Sequence, residues 1–144
     1  FLSSGFLALS AGYPPLTFIQ MMSTVKTYRR NVFVDYLPPM NTAHTRRHWS
    51  AAHKEKQKWI KLLLIAFPKA KMPDQPLQKS EITITRMSSR EPDFDNMVMA
   101  AKPIFDALQK RGIIVDDAPR NVKRDYRWRK ETERTGTLIE IVRL

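Results

Sequence analysis

Two short acidic segments carry side chains suited to metal-ion chemistry. Asp93 and Asp95 lie two residues apart, and Asp116 and Asp117 follow further along the chain. Carboxylate oxygens are the ligands that Mg²⁺ and Mn²⁺ prefer in proteins. On an extended segment, alternation would place Asp93 and Asp95 on one face and turn Phe94 into the core. The spacing therefore predicts that both carboxylates reach one cation, with Asp116 and Asp117 as further candidate ligands.

The same aspartates also have structural explanations. Asp is a favoured N-cap, so Asp93 or Asp95 could simply begin the helix that follows. Asp116 and Asp117 stand in a sequence typical of a turn. Because neighbouring side chains of an extended segment point to opposite sides, only one of these two can readily join the first pair.

A lysine is predicted to share a helix face with the first acidic segment. Asp95, Met99, Lys102 and Asp106 recur at helical spacing. Lys102 would lie about 10.5 Å along the axis from Asp95, at about 1.5 Å per residue, and its side chain leans toward the helix N-terminus. Its ammonium would then approach a phosphate held at the acidic segment. An ordinary surface ion pair between Lys102 and Asp106 explains the spacing equally well.

The chain is strongly basic. It has 144 residues, a net charge of +11 and a pI near 10.2. Such a charge predicts a polyanionic partner and favours nucleic acid over a merely soluble basic surface, although a lysine-bearing helix face can also be only solvated. The candidate nucleic-acid contacts are Arg46, Arg47, Lys54, Lys58, Lys61, Arg90, Lys123, Arg127 and Arg129.

Several classes of protein are disfavoured. The lack of cysteine excludes disulfides, thiolate zinc sites and a cysteine nucleophile, and fits a reducing cytoplasm. His44 and His48 have no Glu beside the first histidine, which argues against a zinc pair. Residues 1–20 are apolar but interrupted by prolines, so no membrane span is expected. We predict that they form a non-native or poorly ordered extension of a functional domain at 21–144.

Hydrophobic periodicity predicts an α+β domain, with a mixed β-sheet packed by two main helices. The predicted strands are 31–36, 80–87, 113–115, 121–129 and 137–144, and the predicted helices are 50–67 and 95–111. The predicted apolar stripes are Trp59, Leu62, Leu63 and Ala66 on the first helix and Met97, Ala101, Ile104 and Leu108 on the second. Gly112 is predicted to end the second helix.

Three runs of sequence together resemble the RusA-type endodeoxyribonucleases, Holliday-junction resolvases of bacteria and their phages: Asp93-Phe94-Asp95-Asn96, Phe105-Asp106-Ala107-Leu108 and Val115-Asp116-Asp117-Ala118. The similarity is clearest over 82–118 and weaker over 31–67. One departure concerns the family's lysine, which follows the second Asp by about one helical turn. Met99 stands there, and Lys102 matches the lysine only when the alignment is made on Phe105–Leu108.

The resemblance implies a RusA-like two-layer fold and a homodimer that cuts four-way DNA junctions by paired nicks in recombination and repair. It implies a bacterial or phage-infected cell and a requirement for Mg²⁺ or Mn²⁺. Asp93, Asp95 and Asp117 would be metal ligands, Asp116 would assist, and Lys102 would be the catalytic lysine. The alternatives are a non-catalytic nucleic-acid-binding protein and a metal-dependent nuclease for flaps, forks or RNA.

Overall fold

The computed structural model describes residues 27–40 and 48–144, and the predictions for residues 1–20, His44, Arg46 and Arg47 lie outside them. The elements are β1 (Arg29–Val34), α1 (His48–Ala66), a 3-10 turn (Lys69–Lys71), β2 (Ser80–Ser88), α2 (Phe94–Lys110), β3 (Val122–Lys130) and β4 (Gly136–Arg143). The predicted α+β class, with one mixed sheet and two helices, is confirmed. Within these residues no helix is both long and apolar enough to cross a membrane.

The sheet has the strand order β1-β4-β2-β3. β4 is antiparallel to both of its neighbours, whereas β2 and β3 are parallel. Parallel neighbours need a long crossover between them, and α2 supplies it. The N-terminus of α2 therefore follows the end of β2, and its C-terminus leads into the bend before β3.

The core lies between the two helices and one face of the sheet. Ile82 and Ile84 of β2 alternate with partly exposed residues, and Ile139 and Ile141 of β4 are fully buried. Both predicted helix stripes face this layer: Trp59, Leu63, Met97, Ala101, Ile104 and Leu108 are buried, and Leu62 and Ala66 pack partly buried against them. Each fully buried aliphatic or aromatic side chain contributes about 1.5–3 kcal/mol.

The end of α2 follows the prediction made for Gly112. Its φ is 84°, a left-handed conformation that glycine adopts without steric penalty. The Gly112 N–H donates to the carbonyl of Gln109 at 3.0 Å, and the Ile113 N–H donates to that of Leu108 at 3.0 Å. These two bonds are the Schellman pattern, which satisfies carbonyls that have no partner within the helix.

The predicted strand at 113–115 is wrong. Only one parallel bridge forms there, between Leu77 and Ile114. Its bonds run from the Leu77 N–H to Ile113 O at 2.9 Å and from the Val115 N–H to Leu77 O at 3.1 Å. The pairing stops at once because the chain turns at Asp116. Ile113 and Ile114 are apolar because they are buried in the core, which a strand pattern does not distinguish.

Gly136 begins β4 where a side chain has no room. A Cβ atom there would lie 2.5 Å from the Phe33 ring and 2.6 Å from the carbonyl oxygen of Val34. We expect Gly136→Ala to lower the free energy of unfolding by about 1–3 kcal/mol, because overpacking forces neighbours to shift. Urea unfolding followed by tryptophan fluorescence measures this loss.

Phe33→Ala provides the control for the Gly136 substitution. It should recover part of the lost stability when combined with Gly136→Ala, but not when combined with Gly112→Ala, since a Cβ at Gly112 meets nothing within 4 Å. Wild-type stability of Gly136→Ala would contradict the packing described here.

Candidate active site

The first acidic segment begins α2 rather than extending β2. Asp93 is the N-cap, with φ −64° and ψ 138°, and Asp95 lies in the first helical turn. The prediction that Asp93 and Asp95 share one face of an extended segment is therefore wrong. Phe94 is also not buried as predicted: it is 59% exposed, because the helix has already begun at this residue.

The carboxylates of this segment are nevertheless exposed, although the segment begins a helix. Asp93 occupies the N-cap position without a side-chain capping hydrogen bond. Both Asp93 and Asp95 are exposed, and so is Arg90 just before them. A helix N-terminus favours nearby negative charge, which stabilises carboxylates there. The corner thus presents two exposed acids to solvent.

Lys102 is the centre of a second group of charges. Its ammonium donates to Asp117 Oδ2 at 2.5 Å and lies 3.0 Å from Asp106 Oδ1. The predicted pair with Asp106 is confirmed, and Asp117 is a further partner from the bend before β3. The hydrogen bond to Asp117 raises the pKa of Lys102, and Asp106 adds to the effect while burial opposes it. Lys102 therefore carries a positive charge at neutral pH.

Asp116 holds the bend itself. Its Oδ1 accepts the backbone N–H of Ala118 at 3.0 Å and the side-chain amide of Asn121 at 2.8 Å. These bonds lower the pKa of Asp116, the Asn121 bond most. The turn explanation is confirmed for Asp116. Asp117 is the residue of the pair that reaches Lys102, and the prediction that one of the two joins Asp93 and Asp95 stays a prediction.

Tyr126 connects the two acidic segments. Its ring lies edge-on to that of Phe94, with centroids 6.2 Å apart, and edge-on to that of Phe105 at the same distance. Burial raises the pKa of Tyr126, an effect that Asp117 reinforces while Arg124 opposes it. The Tyr126 hydroxyl therefore stays protonated at neutral pH.

Arg124 and Tyr126 lie at this site although neither was predicted to belong to it. Arg124 also stacks over the Phe105 ring at 5.7 Å. The available signal was the alternation of β3, which puts Arg124, Tyr126 and Trp128 on the face that packs against α2.

The other basic residues predicted to bind nucleic acid divide between two surfaces. Lys54, Lys58 and Lys61 are exposed at helical spacing on α1. Lys123, Arg127 and Arg129 alternate with Tyr126 on β3, so they lie on the sheet face away from the helices. Two of these are already paired, Lys123 with Glu81 at 3.5 Å and Arg127 with Asp125 at 2.8 Å.

The residues at this site fit a divalent cation in chemical type but not as a complete set of ligands. Within residues 27–40 and 48–144, no three His, Asp or Glu side chains converge closely enough to hold one ion. Along α2 itself, the backbone of Lys102 lies about 10.5 Å from that of Asp95 at about 1.5 Å per residue. Sharing of one ion by Asp93, Asp95 and Asp117 stays a prediction.

Removing Asp117 should change the titration of Lys102. We expect Asp117→Asn to lower the pKa of Lys102 toward its ordinary value, and Asp106→Asn to lower it less. Heteronuclear NMR of the side-chain Nζ measures this value. Because folding raises this pKa, the stabilising contribution is complete below about pH 10.5 and is lost as pH rises through the folded value. Equal effects of the two substitutions would contradict the assignment of Asp117 as the main partner.

Comparison with known proteins finds no family model that matches the chain and no matching curated protein. A function for the chain therefore has to be argued from its own residues and their geometry.

Proposed function

We propose that this chain is a metal-dependent endodeoxyribonuclease that cuts four-way junctions and related branched DNA. The observation that carries the proposal is the contact between Lys102 and Asp117, 2.5 Å long. These two side chains come from different parts of the sequence, and the family resemblance assigns both of them to catalysis. Aspartates and a lysine that served only as caps, turns and a pair within one helix would not require Lys102 and Asp117 to meet.

The exposed aspartates suit Mg²⁺ or Mn²⁺ by their donor chemistry. Mg²⁺ is commonly held by one or two carboxylates, with water and substrate phosphate oxygens completing its shell. Asp93 and Asp95 would supply such carboxylates, and the family resemblance offers Asp117 as a further candidate. When bound, the ion would activate water and polarise the scissile phosphodiester.

The remaining residues of the site would act on the DNA directly. The protonated Lys102 would offset negative charge that develops on the phosphate oxygens during cleavage. Arg124 would add a second positive charge from β3, and the protonated Tyr126 hydroxyl could donate a hydrogen bond. Arg90, exposed beside Asp93, would hold the strand being cut. A homodimer would present two such sites for paired nicks in recombination and repair.

The second candidate is a nucleic-acid-binding protein without catalysis. Two observations favour it: the carboxylates do not converge as a group of three among the described residues, and Asp116 is used by the turn. This candidate predicts DNA binding that does not depend on Mg²⁺ and no nicks after long incubation.

Asp95 provides the test of catalysis. We expect Asp95→Asn to reduce cleavage of a four-way junction by roughly 100-fold or more, as for loss of a group that stabilises the transition state, and to leave junction binding unchanged. Cleavage is measured in Mg²⁺ or Mn²⁺ on junctions, forks and linear duplex. Glu133→Gln, an exposed change between β3 and β4, is the matched control. Full cleavage by Asp95→Asn would remove Asp95 from the mechanism, and no cleavage by the wild type would favour the binding protein.

The salt dependence of binding distinguishes the two basic surfaces. Joint replacement of Lys54, Lys58 and Lys61 by Gln should reduce the log–log salt slope by up to about 2.7, since each lost phosphate contact removes about 0.9. The matched triple, with Gln at the positions of Lys123, Arg127 and Arg129, should change the slope less because two of those residues already pair with carboxylates. A larger change in slope for the triple at Lys123, Arg127 and Arg129 would place the DNA on the outer face of the sheet.

A further inference from the structure

A cavity of about 540 Å³ opens directly beside Lys102. It lies between Pro38 and Pro39 after β1, helix α1 and helix α2. Its walls are mostly apolar, with surfaces supplied by Pro38, Pro39, Ala52, Met99 and Pro103. The volume is within the usual range for small-molecule sites. Because Lys102 lines the cavity and also contacts Asp117, the cavity adjoins the candidate active site.

The walls of the cavity are held in place by hydrogen bonds. Arg86 of β2 donates to the carbonyl of Pro38 at 2.9 Å, which fixes the loop after β1 against the sheet. Thr137 donates to the carbonyl of Tyr36 at 2.7 Å, and the Tyr36 hydroxyl donates to both carboxylate oxygens of Glu55 at 2.9 Å. Residues 36–38 and α1 are thus tied to the same core.

The lining matches a flat heteroaromatic ring. Proline and alanine surfaces can cover the faces of a ring, and the thioether of Met99, which is 42% exposed, makes favourable contacts with aromatic rings. Glu55 and Asp106 supply carboxylate oxygens, which accept hydrogen bonds from the amino groups of nucleobases. Tyr36 and Lys102 already bond to these carboxylates, and each oxygen keeps a further lone pair that a base amino group could use and an apolar peptide side chain would not.

The cations around the cavity complement a phosphodiester rather than a neutral ligand. Lys56 and Lys102 both line it, on α1 and α2 respectively. A base inside would leave its own backbone phosphates outside, where these ammonium groups could contact them. The whole chain has a net charge of +11, which further favours a polyanionic strand over a neutral or cationic ligand.

We propose that this cavity receives a single unstacked nucleobase of the DNA strand bound across Lys102. The proposal rests on the proposed function for the identity of the DNA, and it specifies the substrate as DNA with unpaired or easily unpaired bases, as at a branch point. Enzymes that carry out chemistry on a base extrude it into a pocket, and the unstacking is least costly where pairing is already disturbed, as at a branch point.

The test places 2-aminopurine, whose emission rises when it is unstacked, singly at each nucleotide that flanks the branch of a four-way junction. Wild-type protein is titrated into each junction in EDTA, so that binding occurs without cutting. Ala52→Leu fills the cavity from an exposed position of α1, and Ala70→Leu makes the same change at an exposed alanine outside it. Urea unfolding checks that both variants are folded.

We expect emission at one or more positions to rise several-fold with the wild type and with Ala70→Leu at saturation, and to rise little with Ala52→Leu. Junction binding by Ala52→Leu should also weaken about tenfold, the loss expected for one stacked base. Flat emission at every position, or an equal rise with Ala52→Leu, would overturn the proposal, and so would a failure to bind junctions.

The two proposals fail in different ways. Metal-dependent cleavage with flat 2-aminopurine emission would leave the nuclease standing and remove the base-binding cavity. A cavity-dependent rise in emission without any cleavage would support the cavity in a protein that binds branched DNA and does not cut it.

Discussion

The parallel pairing of β2 with β3 is the constraint on which the rest of the structure depends. Two adjacent parallel strands cannot be joined by a tight turn, so the chain must leave the sheet and return through a crossover. Here the crossover is α2, which carries an acidic pair at its beginning and a lysine near its middle. The same crossover delivers the bend with Asp117 to the side of the helix where Lys102 lies.

The Lys102 ammonium balances a local excess of negative charge in a basic protein. It lies against Asp106 and Asp117, so one cation satisfies two carboxylates that would otherwise repel each other. Asp116 is held separately by the turn, and the acids at the start of α2 remain exposed. The site therefore contains two groups of carboxylates. Asp106 and Asp117 are already paired with Lys102, whereas Asp93 and Asp95 are open to an external cation.

Local sequence signals predicted most of the fold. The apolar stripes of both helices were predicted correctly because burial against one sheet imposes a 3.6-residue period, and the Gly112 helix end follows from the conformational freedom of glycine. The wrong predictions arose where two different local structures share one sequence pattern. Buried Ile113 and Ile114 have the composition of a strand but form a single bridge, and Asp-Phe-Asp alternation describes a helix start as well as an extended segment.

By itself the sequence determined the class of fold, the strongly basic charge and the list of acids and lysines that could do chemistry. These depend on composition and on spacing within single elements. Only the tertiary structure decided that Lys102 reaches Asp117, that Asp116 serves the turn, that Tyr126 and Arg124 join the site, and that a cavity opens beside Lys102. Those contacts join residues from different elements, and their distances follow from how α1 and α2 pack on the sheet, which no spacing along the chain encodes.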